Sequence, residues 1–226
     1  MNGKKLMRAK KAFPPDIRTL ATKHLCMKKN LLAVLPALLL FSFLPISKDP
    51  LPLGAGLPQP DLKMKDISGK EISLSDAKQK NGLLVMFSCN TCPYVIKNQS
   101  RTREVCILAA EKEIGVALLN SNEANRGGDD SLEEMIAYAK AQSYNWPYLV
   151  DKNAALADAF GANRTPECFL FNREGKLVYH GAIDDNPGDA TAVGRKHLIQ
   201  ALTELSENKE IAVKQSRSVG CTIKRL

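Results

Sequence analysis

At 226 residues, with 44% hydrophobic and 25% charged side chains, the chain fits one soluble globular domain plus appendages and has room for a core that needs no staples. The net charge of +8 invites a nucleic-acid reading, but its placement speaks against one. Residues 1–30 hold nine Lys or Arg against Asp16 alone, leaving 23 charges of each sign from residue 31 onward.

In chain order, the basic head leads through Lys28 and Lys29 into an uncharged apolar run from Leu31 to Leu44, followed by a polar, Pro-rich stretch. That is the layout of an export signal. The small-x-small cleavage pattern is poor around Pro45, Ile46 and Ser47, and 26 residues precede Met27, which we read as the true start. Left uncut, the segment would be an N-terminal anchor, although about 16 residues is short for a spanning helix. Cys26 precedes the apolar run and cannot be a lipid-attachment cysteine after it. The expected organisation is therefore a basic extension with signal or anchor over 1–47, a linker over 48–60 with Pro50, Pro52, Pro58 and Pro60, a domain over 61–207, and a tail over 208–226.

Within the domain, residues 62–67 and 71–74 alternate apolar with polar around a Ser68-Gly69-Lys70 turn and predict a hairpin. The wholly apolar run 83–87 predicts a buried strand, 93–113 a long helix, and 115–120 a second apolar strand. Ser131 and Glu134 form a capping-box pattern opening a helix with Leu132, Met135, Ile136 and Ala139 on one face. A short strand at 148–150 leads to a helix at about 153–160, a hairpin joins 168–171 to 177–181, and a helix closes at 195–206. This alternation predicts an α/β fold with a central mixed sheet covered by helices on both faces.

The most informative stretch is Ser88-Cys89-Asn90-Thr91-Cys92-Pro93. Two cysteines three apart, where a buried strand ends and a helix begins, can open and close a disulfide. Pro93 is tolerated in the first helical turn, and the helix N-terminus favours a thiolate at Cys89, the form that acts as nucleophile. A structural disulfide and half of a zinc site are the alternatives. The zinc reading is weakened because there is no second CxxC or HxxxH, and His24, His180 and His197 are scattered. Thr165-Pro166 stands directly before the strand at 168–171, where a proline suits the strand's first edge and the peptide bond is a candidate for cis. A cis-proline beside the CxxC would leave the backbone of Thr165 free to pair with an extended substrate.

A strand, a CxxC-Pro helix, a later Thr-Pro before a hairpin and a closing helix together resemble the thioredoxin-like superfamily over roughly residues 57–226. The finer likeness is to the redoxin branch, related to alkyl hydroperoxide reductase and thiol-specific antioxidant proteins. It looks most like the group called peroxiredoxin-like thioredoxin-family proteins. CNTCPYV at 89–95, the run from Trp146 to Asp185, and SVGCTIK at 218–224 carry that likeness. The resemblance implies a thioredoxin-like fold, with Cys89 as attacking thiol, Cys92 as resolving thiol and Thr165-Pro166 as the substrate-binding loop.

Departures from the pattern are visible. Ser88 stands where a Trp is usual, and Leu83 stands where thioredoxin carries a buried acid, so the proton acceptor is unidentified. A peroxidatic cysteine needs an upstream hydroxyl, yet Met86 lies three before Cys89, and Cys89 itself lies three before Cys92.

Of the other cysteines, Cys106 among Val105, Ile107 and Leu108 reads as buried and inert. Cys168, on the strand expected to pass near the motif, reads as a packing residue, with a redox contact as the alternative. Cys221 lies in an expected flexible tail, where it could fold back to exchange with the CxxC or a neighbouring chain.

The expectation is a thiol–disulfide oxidoreductase of the cell envelope acting on protein disulfides or dithiols, with thiol peroxidase and a binding module without turnover as alternatives. No metal or nucleotide cofactor is implied, since Gly127-Gly128 is an isolated turn. An exported CxxC protein must be re-reduced or re-oxidised, so a membrane electron-transfer partner is expected. Membrane contact is expected only through the N-terminal anchor.

Overall fold

The computed structural model describes residues 49–226, so the basic extension and the signal or anchor segment lie outside the described residues. The elements in chain order are β1 (Met64–Lys65), β2 (Glu71–Ile72), α1 (Leu74–Ala77), β3 (Gly82–Ser88), α2 (Pro93–Lys97), α3 (Gln99–Glu111), β4 (Ile114–Asn120) and α4 (Leu132–Ala141). Then follow β5 (Tyr148–Val150), α5 (Ala155–Phe160), β6 (Arg164–Thr165), β7 (Glu167–Asn172), β8 (Leu177–Gly181), α6 (His197–Ser206) and β9 (Cys221–Thr222).

The central sheet runs β5-β4-β3-β7-β8, with β4 parallel to both β3 and β5, and β7 antiparallel to both β3 and β8. Every residue of β3 is buried, which explains its unbroken apolar run: a strand covered on both faces needs no polar alternation. Leu84 and Met86 pack with Val105 of α3, Met135 of α4 and Leu202 of α6. Leu83, Val85 and Phe87 face the other way, toward Leu74 of α1 and Leu156 and Phe160 of α5. The mixed sheet sandwiched between helices is the fold class expected from the alternation. β1 and β2 pair separately as a short antiparallel hairpin.

Several local expectations are corrected. The helix expected over 93–113 is two helices meeting at Asn98 (φ −90°, ψ 0°), whose side-chain amide donates to the carbonyls of Tyr94 and Pro187. An Asn side chain competing for backbone partners is a physical reason for a break there. The strand expected over 71–74 stops at Ile72, because Ser73 and Asp76 form a reciprocal capping box that opens α1. On α4, Met135 and Ala139 are buried as expected but Ile136 is 44% exposed.

The tail is the largest correction, for it is pinned rather than flexible. Ser216 receives the backbone N–H of Ala182, Ile223 is buried, and Arg225 pairs with Asp158 at 2.7 Å. The fold keeps glycine where the tail passes closest. A Cβ on Gly181, whose φ is +153°, would lie 2.2 Å from Ser216 Oγ, and one on Gly220 would lie 2.1 Å from the Thr165 carbonyl oxygen. A buried Arg101–Asp184 ion pair of 2.6 Å likewise fastens the segment after β8 to α3.

Candidate active site

β3 ends at Ser88, the chain turns through Cys89 and Asn90, and Cys92 becomes the N-cap of α2 with Pro93 following it in the first turn. The Thr165–Pro166 peptide bond is cis. It sets Thr165 Oγ1 3.5 Å from Cys89 Sγ and the Thr165 carbonyl oxygen 3.1 Å from Cys92 Sγ. The two motifs read separately in the sequence thus meet in one place.

Cys89 and Cys92 are only 1% and 3% exposed, and with Val95 they form a small cluster against which Tyr94 and Cys221 pack. Cys106 and Cys168 belong instead to the main core. Burial pushes both of those thiols up, which makes them poor nucleophiles. All five described cysteines are free thiols, and no group of His, Cys, Asp or Glu among the described residues is placed to hold a metal ion.

The electrostatics divide the pair. Cys92 is pulled well below the usual thiol range, first by the hydrogen bond from Cys89, and further by Cys221, the Val95 N–H at the helix start and Thr165, all against the cost of burial. Cys89 is pushed up, first because its proton is held by Cys92 and then by burial; the Thr165 hydroxyl and the Cys92 N–H work the other way. The two thiols are tightly coupled, and their surroundings favour ionisation of Cys92 over Cys89. The helix-start N–H expected to favour Cys89 is given to both sulfurs: Val95 N–H serves Cys92 and Cys92 N–H serves Cys89. A Cys89→Ala variant should raise the Cys92 ionisation midpoint, because the leading donor is gone. Thiolate absorbance against pH checks this, and an unmoved midpoint would refute the shared-proton geometry.

Sequence reasoning missed the polar scaffold behind the motif. Asp130 is fully buried and accepts from the Asn90 N–H at 3.0 Å, from Asn120 Nδ2 at 2.7 Å and from Asn122 Nδ2 at 3.0 Å. The Tyr148 hydroxyl donates to Asn90 Oδ1 at 2.9 Å, closing the network. The Asp130 charge is one of the influences holding Cys89 protonated. On the other side, buried Glu167 accepts the backbone N–H groups of Asn163 and Arg164 and pairs with His180 at 2.7 Å, fixing the chain on either side of the proline. The signal for Asp130 was its place before the capping Ser131, and Asn120 was a lone amide ending an apolar strand.

The backbone edge of Thr165 expected to be open to a substrate is occupied. β9 pairs antiparallel with β6, with Thr165 opposite Cys221 and Arg164 opposite Thr222. Cys221 is half-buried beside the CxxC and packs against the cluster of Cys89, Cys92 and Val95.

The redoxin family model matches residues 54–195. The chain is 26% identical over 132 residues to the thiol-disulfide oxidoreductase ResA of Bacillus subtilis, a match covering 56% of this chain and 66% of ResA. Among solved structures it is similar to a hypothetical protein of Sinorhizobium meliloti, with 34% identity, a TM-score of 0.71, and coverage of 79% of this chain and 97% of the other. It is also similar to an uncharacterized conserved protein of Geobacillus kaustophilus, with 33% identity, a TM-score of 0.70, and coverage of 77% and 93%. With the sheet order, the buried dithiol and the match across its central 142 residues in agreement, the chain belongs to the redoxin family and has a thioredoxin-like fold.

Proposed function

We propose that this protein is a thiol–disulfide oxidoreductase that exchanges disulfides with protein clients through Cys89 and Cys92. The observation that carries this reading is the site's geometry: the two buried cysteines of the CxxC meet the cis Thr165–Pro166 loop, with Thr165 Oγ1 3.5 Å from Cys89 Sγ and the Thr165 carbonyl oxygen 3.1 Å from Cys92 Sγ. Likeness to ResA supports the same chemistry.

In the reducing direction, Cys89 attacks one sulfur of a client disulfide while its proton passes to the Cys92 thiolate. A Cys89–client mixed disulfide forms and the second client sulfur leaves as thiolate. That thiolate takes the proton from Cys92, which then attacks Cys89 and releases the first client sulfur. The client gains two electrons, the pair becomes a disulfide, and the proton acceptor missing from β3 is supplied by Cys92 itself. Oxidation of a client dithiol is the same sequence reversed.

Placement at the cell envelope is supported by the Lys28-Lys29 head and apolar run to Leu44, which would export or anchor the domain. There a membrane electron-transfer protein would reset the pair. Among the described residues no helix is long and apolar enough to cross a membrane.

Peroxide reduction is the competing reading, since Thr165 brings a hydroxyl to Cys89 that the upstream sequence lacks. It would also use a guanidinium at the sulfur, but Arg101 is committed to Asp184 and Arg164 donates to the Gly220 carbonyl. Insulin reduction with dithiothreitol, run beside peroxide consumption under the same reductant, tests the assignment. Insulin turnover exceeding peroxide turnover is expected. Peroxide turnover alone would overturn it, and inactivity in both assays with an intact fold would favour a binding module.

A further inference from the structure

We propose that Cys221 is the third redox residue of this site: docked on β9, it takes over the disulfide from Cys92 and presents it at the surface to a protein dithiol. This rests on the oxidoreductase reading above and extends it to how the buried pair is reset.

Access is the first argument. Cys89 and Cys92 are closed off from solvent, whereas Cys221, packed against them, is half-exposed. While β9 is docked, a protein reductant cannot bring its own sulfur to side chains only 1% and 3% exposed, but it can reach Cys221.

Placement is the second. β9 makes with Thr165 the antiparallel pairing that an extended client would make, and Cys221 stands opposite Thr165, where a client cysteine would meet the pair. Two hydrogen bonds beyond the strand pairing hold it there. The Ile223 N–H donates to the Asn163 carbonyl at 3.0 Å, and the Lys224 N–H donates to Asn122 Oδ1 at 2.9 Å. Gly220 lies so close to the Thr165 carbonyl that no larger residue fits. Asn122 in turn donates to Asp130, so the strand carrying Cys221 and the loop carrying Cys89 share one buried anchor.

The direction follows from placement. Cys221 stands opposite Thr165, whose carbonyl oxygen lies 3.1 Å from Cys92 Sγ and is the atom that neighbouring Gly220 approaches, so Cys92 is the sulfur assigned as its partner. After a client has been reduced and the Cys89–Cys92 disulfide formed, the Cys221 thiol loses its proton to solvent and attacks Cys92. The Cys89–Cys92 bond breaks, Cys89 leaves as thiolate, and a Cys92–Cys221 bond forms. An external dithiol then attacks Cys221 and frees Cys92; its second thiol closes on the first and frees Cys221. The donor becomes a disulfide and all three cysteines are thiols again. Because β9 and a client want the same edge of Thr165, β9 must lift for the client and return for the reset.

The test is disulfide mapping on the full chain. In Cys89→Ser, mild oxidation with oxidised glutathione should link the tryptic peptide 81–97 to 218–224, and adding Gly220→Ala should lower the yield of that link severalfold by pushing β9 off Thr165. Re-reduction of the Cys89–Cys92 disulfide by reduced thioredoxin, a protein dithiol, should slow about tenfold in Cys221→Ser. Absence of the 81–97 to 218–224 link while the unsubstituted protein still reduces insulin would overturn the relay and leave the oxidoreductase reading standing. An equal thioredoxin rate in Cys221→Ser would overturn it too. If the link forms but insulin is not reduced, the oxidoreductase reading falls, and the relay of electrons to clients falls with it.

Discussion

Replacing either cysteine of the CxxC should reduce insulin turnover roughly a thousandfold, the equivalent of about 4 kcal/mol of transition-state stabilisation, but the two variants should fail differently. Cys89→Ser removes the attacking sulfur, so no mixed disulfide with the client should accumulate. Cys92→Ser removes the thiolate that takes the Cys89 proton and the group that resolves the mixed disulfide. A Cys89–client adduct should therefore form slowly and persist, detectable by mass under non-reducing conditions. The alternative division of labour, with Cys92 attacking first, gives the mirror result: adduct in Cys89→Ser and none in Cys92→Ser. Since Cys92 is the sulfur whose ionisation its surroundings favour, the experiment decides whether it acts as the nucleophile or the base. Both variants should keep their fold, because a serine hydroxyl is smaller than the thiol it replaces and Thr165 offers it a hydroxyl or a carbonyl partner.

The parts of this site visible in the sequence are those whose signal is local. Cys89-Asn90-Thr91-Cys92-Pro93 carries its own strand-to-helix context, and Thr165-Pro166 announces a strand edge because proline cannot donate to a ladder. Their meeting was legible only through resemblance, and the register that sets Phe87 opposite Glu167 is what accomplishes it. Cys221 was found as a candidate but given the wrong setting. Nothing in Ser218-Val219-Gly220-Cys221-Thr222 reveals that Gly220 is a close-approach residue, since the atom it must avoid belongs to Thr165. Asn98 and Ile136 failed for a related reason. A hydrophobic period describes a continuous helix with one buried face, and it contains no information about which neighbour, here the Pro187 carbonyl, will interrupt it.

Asp130 is where the hidden part of the site can be made to show itself. Its two oxygens accept three buried N–H donors, so Asp130→Ala leaves the Asn90 amide and the side chains of Asn120 and Asn122 without their acceptor. Stranding donors in a buried network costs about 3–5 kcal/mol, which for a domain of this size lowers the melting temperature by about 10 °C. Asp130→Asn can keep the two bonds made by Oδ1 but turns an amide toward Asn122. Asn122 cannot rotate to meet it without giving up the Lys224 N–H, so roughly half of the loss should remain. A merely structural carboxylate would stop there. This one also holds Cys89 protonated by its charge, so in Asp130→Asn the Cys89 ionisation should move down. Cys89 should then compete with Cys92 for the thiolate, and Cys89 alkylation by iodoacetamide at neutral pH should rise relative to Cys92. Thermal unfolding and peptide-resolved alkylation on the same variant separate the two roles. Lost stability with an unchanged alkylation ratio would reduce Asp130 to scaffolding, whereas a changed ratio makes this buried acid, 40 residues beyond Asn90, a contributor to the charge balance between the two sulfurs, added to the effects of Cys92 and burial.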